Sequence, residues 1–242
     1  MSLRKILVGA AIAGLLQLAL MGSAAAERAT GAYVGLEGGM AWAGDLTYTT
    51  SYGGCYYYYC GYPTYYTAVS YDLGYSAGAM VGYSFGGVRV EFEYNYRDNA
   101  ADTIATVGGT QFATGSLTWN SYMVNVLYDF DTGSKWVPYV GVGLGATKVK
   151  ANNIHSADLT QTGSYLNGSD NAFAAQFIAG VEYAVSDNLG ITVDWRGLWA
   201  SNTTFNYGIG CTAGGTGSCV QTGALSYNYW NGAINLGVRF KF

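Results

Sequence analysis

The sequence predicts an all-β protein, an eight-stranded antiparallel transmembrane β-barrel with short periplasmic turns and long extracellular loops. Three observations predict this fold: an N-terminal leader of the exported type, apolar and polar residues that alternate with a period of two, and connections that are alternately short and long. The composition agrees, because 50% of the residues are hydrophobic but only 11% are charged. A typical soluble domain carries about 25% charged residues.

The first 26 residues have the order of an export signal. Arg4 and Lys5 come first, an apolar run follows at residues 6–20, and small residues then end in an Ala-x-Ala sequence. Because the run is shorter than the roughly 20 residues of a membrane-spanning helix, we favour a cleaved signal over a retained helix. The sequence thus predicts a signal peptide at residues 1–26 and one β-barrel domain at residues 27–242, located in the outer membrane of a Gram-negative cell.

The charge of the chain argues against nucleic acid as a partner. The sequence has 15 acidic and 11 basic residues, and two of the basic ones belong to the leader, so the rest of the chain has a net charge of −6. The basic residues form no patch or run of the kind that nucleic-acid-binding domains carry.

The alternation of apolar and polar residues is clearest in the last segment of the chain. One face carries Val238, Phe240 and Phe242, and the other carries Arg239 and Lys241. Because successive side chains of a strand point to opposite faces, the segment has an apolar face for lipid and a polar face for the barrel interior. The same pattern marks seven earlier segments, at residues 34–42, 79–85, 88–97, 122–130, 140–145, 173–183 and 191–199.

The connections between these segments are short and long in turn. Short ones lie at residues 86–87, 131–135 and 186–188, and long ones at residues 43–70, 98–116, 149–171 and 202–224. Three short and four long connections are what eight strands require when both termini lie at the short-turn end. Short periplasmic turns and longer extracellular loops are typical of outer-membrane barrels.

Aromatic residues flank the apolar segments at both ends, and we predict all of them on the apolar face. Those at the loop ends are Trp42, Tyr96, Trp119, Phe173, Trp199 and Trp230. Those at the turn ends are Tyr83, Phe85, Tyr128, Phe130, Trp136, Tyr183, Phe240 and Phe242. Two aromatic girdles around an apolar band indicate the two membrane interfaces.

Four segments resemble the opacity-protein and OmpA-like β-barrel superfamily, the porin-family surface antigens of Gram-negative bacteria. They are residues 90–94 (VEFEY), 125–130 (NVLYDF), 138–145 (PYVGVGLG) and 238–242 (VRFKF). The resemblance covers the whole chain after the leader. It implies a porin-like, structural or surface-antigen role, and it implies that the C-terminal Phe242 is read by the barrel-assembly machinery.

The predicted inward faces carry most of the charged residues. The acids are Glu37, Glu91, Glu93, Asp129, Glu182 and Asp194, and the bases are Arg89, Arg97, Arg196, Arg239 and Lys241. The interior of an eight-stranded barrel is just wide enough for side chains to fill. We therefore predict that these groups pair and plug the lumen. The alternative is a path for protons or ions along the same charges.

Two local pairs of cysteines lie in the long connections, Cys55 with Cys60 and Cys211 with Cys219. In an exported protein such pairs predict two disulfides. A metal site is the alternative, but no histidine lies near either pair in the sequence.

The first long connection is rich in tyrosine, a residue that gives binding loops a large contact area at a low entropic cost. The candidate binding residues are Tyr56, Tyr57, Tyr58, Tyr59 and Tyr62. The alternative is that these side chains pack loop on loop at the outer interface, where tyrosine is also common.

Evidence for catalysis is thin, and we predict no enzyme, no cofactor and no metal. The single histidine, His155, lies beside Ser156 and Asp158 in one connection, whereas a catalytic triad needs groups that converge from different elements. Lys148 and Lys150 lie where they could contact lipid phosphates, or else they are ordinary rim charges.

The leading functional prediction is a structural or surface-interaction protein, adhesin-like or antigen-like, that acts through its extracellular loops. A narrow porin-like channel for small solutes is the second possibility and a lipid A-modifying enzyme is the third. The expected partners are outer-membrane lipid and lipopolysaccharide, the barrel-assembly machinery and an extracellular ligand.

Overall fold

The computed structural model describes residues 30–51, 54–56, 59–61, 64–106, 109–156, 163–211 and 221–242. The predicted signal peptide and Cys219 lie outside these ranges. Twelve strands are present in the described part of the chain: β1 (Gly31–Ala43), β2 (Leu46–Ser51), β3 (Gly54–Tyr56), β4 (Tyr59–Gly61), β5 (Thr64–Tyr71), β6 (Gly74–Ser84), β7 (Val88–Thr106), β8 (Gly109–Asp129), β9 (Trp136–Ser156), β10 (Gly163–Ala184), β11 (Leu189–Cys211) and β12 (Gln221–Lys241). The ranges given contain no helix that is long and apolar enough to cross a membrane.

Eight strands form a closed antiparallel ring in the order β1, β6, β7, β8, β9, β10, β11 and β12, with β12 paired back to β1. This confirms the predicted eight-stranded barrel. Following hydrogen-bonded partners around the ring from Tyr33 leads back to β1 at Ala43, which is ten residues further along the strand. A stagger of ten residues over eight strands requires the steep strand tilt of small barrels, about 35–45°.

The three periplasmic turns are short, as predicted. They join β6 to β7, β8 to β9 and β10 to β11. Gly86 has a φ of 101°, which a residue without a side chain adopts at no steric cost. In the second turn, Asp131 Oδ1 accepts a hydrogen bond from the backbone N–H of Gly133 at 2.9 Å. Such local bonds fix the ends of neighbouring strands together.

The outer surface of the ring is a continuous apolar band. Large side chains that face outward in its middle include Leu36, Phe92, Val124, Leu144 and Leu236, all of which are exposed. In a soluble protein an exposed apolar surface of this extent would promote aggregation, so the band is the surface in contact with lipid.

Aromatic residues border the band at both ends. At the outer end Trp42 packs against Trp230 with 6.3 Å between ring centroids, and Tyr75 packs against Tyr96 at 5.9 Å. At the periplasmic end the close pairs are Trp136 with Tyr183, Tyr83 with Phe85, Tyr128 with Phe130, and Phe240 with Phe242. These two girdles mark the membrane interfaces.

One residue that the sequence places in the outer girdle faces the barrel interior instead. Trp119 is fully buried inside the barrel rather than exposed to the interface. It occupies an odd-numbered position of β8, as do Met123 and Leu127, which also point inward. The prediction of Trp119 on the apolar face was therefore wrong, because strand alternation overrides the preference of tryptophan for membrane interfaces.

The strands continue well beyond the outer girdle. Much of the sequence predicted as long connections is strand: β7 and β8 leave only residues 107–108 between them, and β9 and β10 leave only 157–162. The hairpin of β2 and β5 joins this extension, because β5 pairs with β7 above the point where β6 begins. The extracellular region is therefore a tall extension of the barrel sheet.

Irregularities interrupt the pairing at the base of this extension. Asn153 and Asn202 have positive φ angles of 43° and 48°, and register shifts occur at similar heights between most neighbouring strands. Such bulges insert a residue into one strand and change which side chains face inward. They break the period of two, and this is why the sequence pattern ends too early.

Candidate functional site

The interior of the barrel has two layers of opposite character. The layer within the membrane is polar, and we call it the lumen network: Tyr33, Glu37, Arg89, Glu91, Glu93, Asn95, Arg97, Asn125, Asp129, Tyr139, Gln176, Glu182, Asp194, Arg196, Asn231, Asn235, Arg239 and Lys241. All of these side chains are buried except that of Lys241, which is 32% exposed. All eleven charged residues that the sequence places on the inward faces thus belong to this network.

Arg196 of β11 is the centre of the lumen network. Its guanidinium nitrogens lie 2.7 Å from Glu37 Oε2, 2.5 Å from Glu93 Oε2 and 3.0 Å from Asp194 Oδ1. Glu91 lies 3.9 Å away. One planar cation with five donors can serve several carboxylates at once, so Arg196 joins β1, β7 and β11 across the lumen.

A second group of ion pairs lies nearer the periplasm. Glu182 accepts hydrogen bonds from Arg239 and, at 2.8 Å, from Lys241. Arg89 pairs with Asp129 at 2.9 Å. Below them a recess of about 560 Å³ opens to the periplasm. The ion pairs therefore form the floor of the interior.

Two buried tyrosines connect the groups of charges. The Tyr33 hydroxyl donates to Glu91 at 2.9 Å, and the Tyr139 hydroxyl donates to Asp194 at 2.8 Å. The guanidinium carbon of Arg89 lies 4.8 Å from the centroid of the Tyr139 ring, and that of Arg239 lies 5.1 Å from the Tyr33 ring. Cation–π contacts of this kind are worth about 2 kcal/mol when desolvated. The two tyrosine rings occupy the space between the charged groups of the lumen.

Side-chain amides complete the network, and sequence reasoning did not include them among the site residues. Asn125 donates to Glu91 and Glu93 at 3.0 and 2.7 Å, and Gln176 donates to Glu93 at 2.7 Å. Asn95 and Asn235 both donate to Glu37. Buried carboxylates need such donors because unmade hydrogen bonds in the interior are costly. The signal that could have found them is their position on the same inward faces as the charges.

The glycines of the 138–145 segment make room for this network. Gly143 faces inward, and a side chain on it would collide with Asn125 and Gln176. Gly141 is limited in the same way by Leu127. The alternate glycines therefore let amide and carboxylate groups from neighbouring strands meet across the lumen.

Above the lumen network lies the second layer, a cluster of buried apolar side chains that we call the extracellular core. It comprises Ala43, Leu46, Tyr48, Val69, Tyr71, Ala101, Ile104, Leu117, Trp119, Met123, Val149, Ala151, Ile154, Leu166, Ala172, Ala174, Leu198, Ala200, Phe205, Tyr207 and Tyr229. These residues come from β1, β2, β5 and β7–β12. They close the barrel interior from above, as the core of a soluble β-barrel does.

The packing of the extracellular core is aromatic at its centre. Trp119 meets Tyr229 edge to face with 6.0 Å between ring centroids, and Tyr229 meets Phe205 at 5.6 Å. Tyr48 packs against Tyr207 at 5.6 Å. Burial raises the pKa of Tyr48 to about 12, which keeps its phenol neutral even in moderately alkaline solution.

The two layers meet at Arg97, which neighbours Trp119 across β7 and β8. Arg97 donates to Asn95 at 2.9 Å and to the backbone and side-chain oxygens of Asn231 at 3.0 Å. Asn231 in turn donates to Asn99 at 3.0 Å. This arginine therefore covers the top of the polar layer, and the apolar layer begins directly above it.

The remaining predicted site residues are distributed as follows. The backbone places Cys55 opposite Cys60 in the pair β3–β4, but the side chains of Cys55, Cys60, Cys211 and Tyr56 to Tyr59 lie outside the described residues, as does all of Tyr62. The disulfides and the tyrosine binding loop therefore stay predictions. Phe242 is exposed at the periplasmic end, and its N–H donates to Ala32 O at 3.0 Å.

His155 and Ser156 are not brought together. The side chain of Ser156 is fully buried, whereas His155 is partly exposed and contacts Thr114 Oγ1 at 3.1 Å and the backbone oxygen of Asn153 at 2.7 Å. Asp158 lies outside the described residues. Within the described ranges no group of three His, Cys, Asp or Glu residues is placed to hold a metal ion.

Comparison with known proteins agrees with this architecture. The family model described as outer membrane protein beta-barrel domain matches residues 10–242. The chain is 27% identical over 146 residues to outer membrane protein PagN of Salmonella typhimurium, covering 54% of this chain and 60% of that protein. It is also 27% identical over 180 residues to an outer membrane protein of Gluconacetobacter diazotrophicus, covering 71% of this chain and 47% of that protein. The chain thus spans only about half of the length of the curated relatives it matches.

Solved structures share the fold at low sequence identity. The outer membrane protein OprG of Pseudomonas aeruginosa has a TM-score of 0.57 and 13% identity, with 89% of this chain and 98% of that chain covered. Neisserial surface protein A has a TM-score of 0.52 and 19% identity, with 87% and 97% covered. With a closed ring of eight strands, an apolar band between two aromatic girdles and a family match over nearly its whole length, the chain belongs to the outer membrane protein β-barrel family and is a protein of the outer membrane.

Proposed function

We propose that this protein is a closed barrel with a surface-interaction role, which holds its extracellular connections above the membrane for contact with a partner. The observation that supports this most directly is the change of polarity along the strands. Within the apolar band the side chains that face outward are apolar and those that face inward are polar, and beyond the outer girdle the order reverses.

β9 illustrates the change. Val142 and Leu144 face outward and are exposed, whereas Lys148 and Lys150 are the outward residues further along the strand. On the inward side, Gly143 is followed by Val149 and Ala151, both fully buried. A segment with polar residues outside and apolar residues inside has the pattern of a sheet whose outer surface is exposed to water. The extension is paired strand to strand and packed around the extracellular core, and scaffolds of this kind that carry loops are typical of binding proteins.

The filled interior supports a surface role over a channel. The ion pairs of the lumen network and the extracellular core lie in series, so a solute would have to displace both. Neisserial surface protein A, which is 19% identical to this chain, is by its name a surface protein. The separation of His155 from Ser156 likewise gives no support to a lipid A-modifying activity.

Removal of the tyrosines at residues 56–59, in the first long connection, tests this proposal. Cells that display the full protein are expected to bind at least one member of a panel of immobilised polysaccharides and extracellular proteins above cells without it. Replacement of Tyr56, Tyr57, Tyr58 and Tyr59 by serine is expected to lower that binding at least tenfold, because hot-spot aromatic residues each contribute about 1–2 kcal/mol or more.

The matched control replaces Thr132 and Ser134 of the periplasmic turn by alanine, which leaves the extracellular surface intact. Both variants are first checked for equal amounts of folded barrel at the cell surface. Binding that is equal in the tyrosine variant and the wild type, or absent from the wild type across the whole panel, contradicts the proposal.

A further inference from the structure

The basic residues of the described chain are distributed very unevenly. Of the eight basic side chains in the described ranges, five belong to the lumen network and Lys135 lies in a periplasmic turn. The other two are Lys148 and Lys150, which are neighbours on the outer face of β9 and are both exposed. All positive charge on the outward surface of the extracellular half, as far as the structure describes it, is therefore concentrated at one place.

Backbone register fixes the height of these two lysines. Ala146 faces outward between Tyr122 and Phe173, which are both exposed on the apolar band. Lys148 is the next outward residue of β9, so it lies directly beyond the lipid-facing surface. Lys150 follows one step higher. This is the level at which the headgroups of outer-leaflet lipids meet the barrel.

The immediate neighbours of the lysines are uncharged and polar. Lys148 lies opposite Asn120 on β8 and Asn171 on β10, and Lys150 lies opposite Thr118 and Ser169. Asn171 and Ser169 are exposed. Amide and hydroxyl side chains therefore lie next to both lysines in register, and the exposed Asn171 and Ser169 can add hydrogen bonds to an anion.

No acid neutralises the lysines within the described chain. Neither ammonium group has a described carboxylate within 4.0 Å. The closest acid along the neighbouring strand, Asp170, accepts hydrogen bonds from the backbone N–H groups of Thr204 at 2.9 Å and Asn171 at 2.8 Å. The two ammonium groups are therefore not engaged in a described ion pair and can pair with an external anion.

We propose that Lys148 and Lys150, with Asn120 and Asn171 beside them, bind the phosphate groups of a phosphorylated lipid of the outer leaflet. The phosphates would lie against the ammonium groups and the acyl chains would lie below, against Ala146, Tyr122 and Phe173. A lipid is favoured over free phosphate because the lysines lie on the lipid-facing side at the edge of the apolar band, where only a lipid can engage both surfaces. This inference is independent of the role of the extracellular connections.

The test measures binding of bisphosphorylated lipid A to the refolded protein in neutral detergent micelles. Each basic residue near an anionic lipid contributes about 1 kcal/mol, which corresponds to about fivefold in affinity. Lys148→Gln and Lys150→Gln are each expected to weaken binding about fivefold, and the double variant about 25-fold. Lys135→Gln, an exposed lysine at the opposite end of the barrel, is the matched control and is expected to bind as the wild type does.

Two ligand controls separate the possible sources of phosphate. Lipid A without its phosphates is expected to bind the wild type as weakly as bisphosphorylated lipid A binds the double variant, and millimolar inorganic phosphate is expected to compete poorly. The proposal is overturned if the double variant retains wild-type affinity, if removal of the phosphates has no effect, or if inorganic phosphate competes as well as the lipid. Folding of each variant is checked by its mobility on unheated gels.

Discussion

Replacement of Arg196 by methionine is expected to lower the free energy of unfolding by about 3–5 kcal/mol, the usual cost of removing one partner from a buried ion network. The methionine would fill a similar volume, but Glu37, Glu93 and Asp194 would lose the cation they share. Equilibrium unfolding in urea, followed by tryptophan fluorescence of the protein in lipid vesicles, measures the effect.

Two further variants establish the cause of the loss. Addition of Glu37→Gln and Glu93→Gln to Arg196→Met is expected to recover part of the stability, because two of the three carboxylates that lose the shared cation then carry no charge. Lys135→Met, which removes an exposed cation from a turn, is expected to change stability by less than about 0.5 kcal/mol. A cost below about 1 kcal/mol for Arg196→Met would mean that Arg196 does not hold the lumen network together.

Replacement of Trp119 by alanine is expected to cost about 3–5 kcal/mol, the range for a large aromatic residue in a packed core. Trp119 is fully buried and packs edge to face on Tyr229 in the extracellular core. Its loss would leave a large cavity at the level where the two layers of the interior meet. The same unfolding measurement applies.

Trp199→Ala is the matched control for this prediction. Trp199 lies at the outer girdle, where it faces outward and is 40% exposed, so its removal leaves no internal cavity. Trp119→Phe is expected to lower the free energy of unfolding by about half as much as Trp119→Ala does, because the smaller ring fills part of the space. Equal costs for Trp119→Ala and Trp199→Ala would show that Trp119 belongs to the girdle rather than to a core.

The sequence predicts the transmembrane part of the fold well for a physical reason. A strand between lipid and a polar lumen must alternate, and Phe240 and Arg239 show this on adjacent positions. The same alternation places Trp119 on the inward face of β8, because Trp119 shares the odd-numbered positions of that strand with Asn125 and Asp129. The preference of tryptophan for membrane interfaces favours the outward face, but the position in the strand decides.

The extracellular extension could not be predicted from periodicity. Bulges at positions such as Asn153 and Asn202 shift the phase of the alternation, and small residues such as Ala151 and Ala200 carry little hydrophobic signal although both are fully buried. The sequence pattern also does not predict which side chains of the lumen network pair with one another. Which carboxylates meet Arg196 depends on the ten-residue stagger of the barrel, and a sequence pattern does not contain that quantity.

Single-channel conductance of the refolded barrel in planar bilayers tests the central claim that the interior is closed. The lumen network and the extracellular core in series predict silence or rare, brief openings. Stable openings whose conductance rises in proportion to salt concentration would contradict the closed barrel and make the lumen charges the lining of a path.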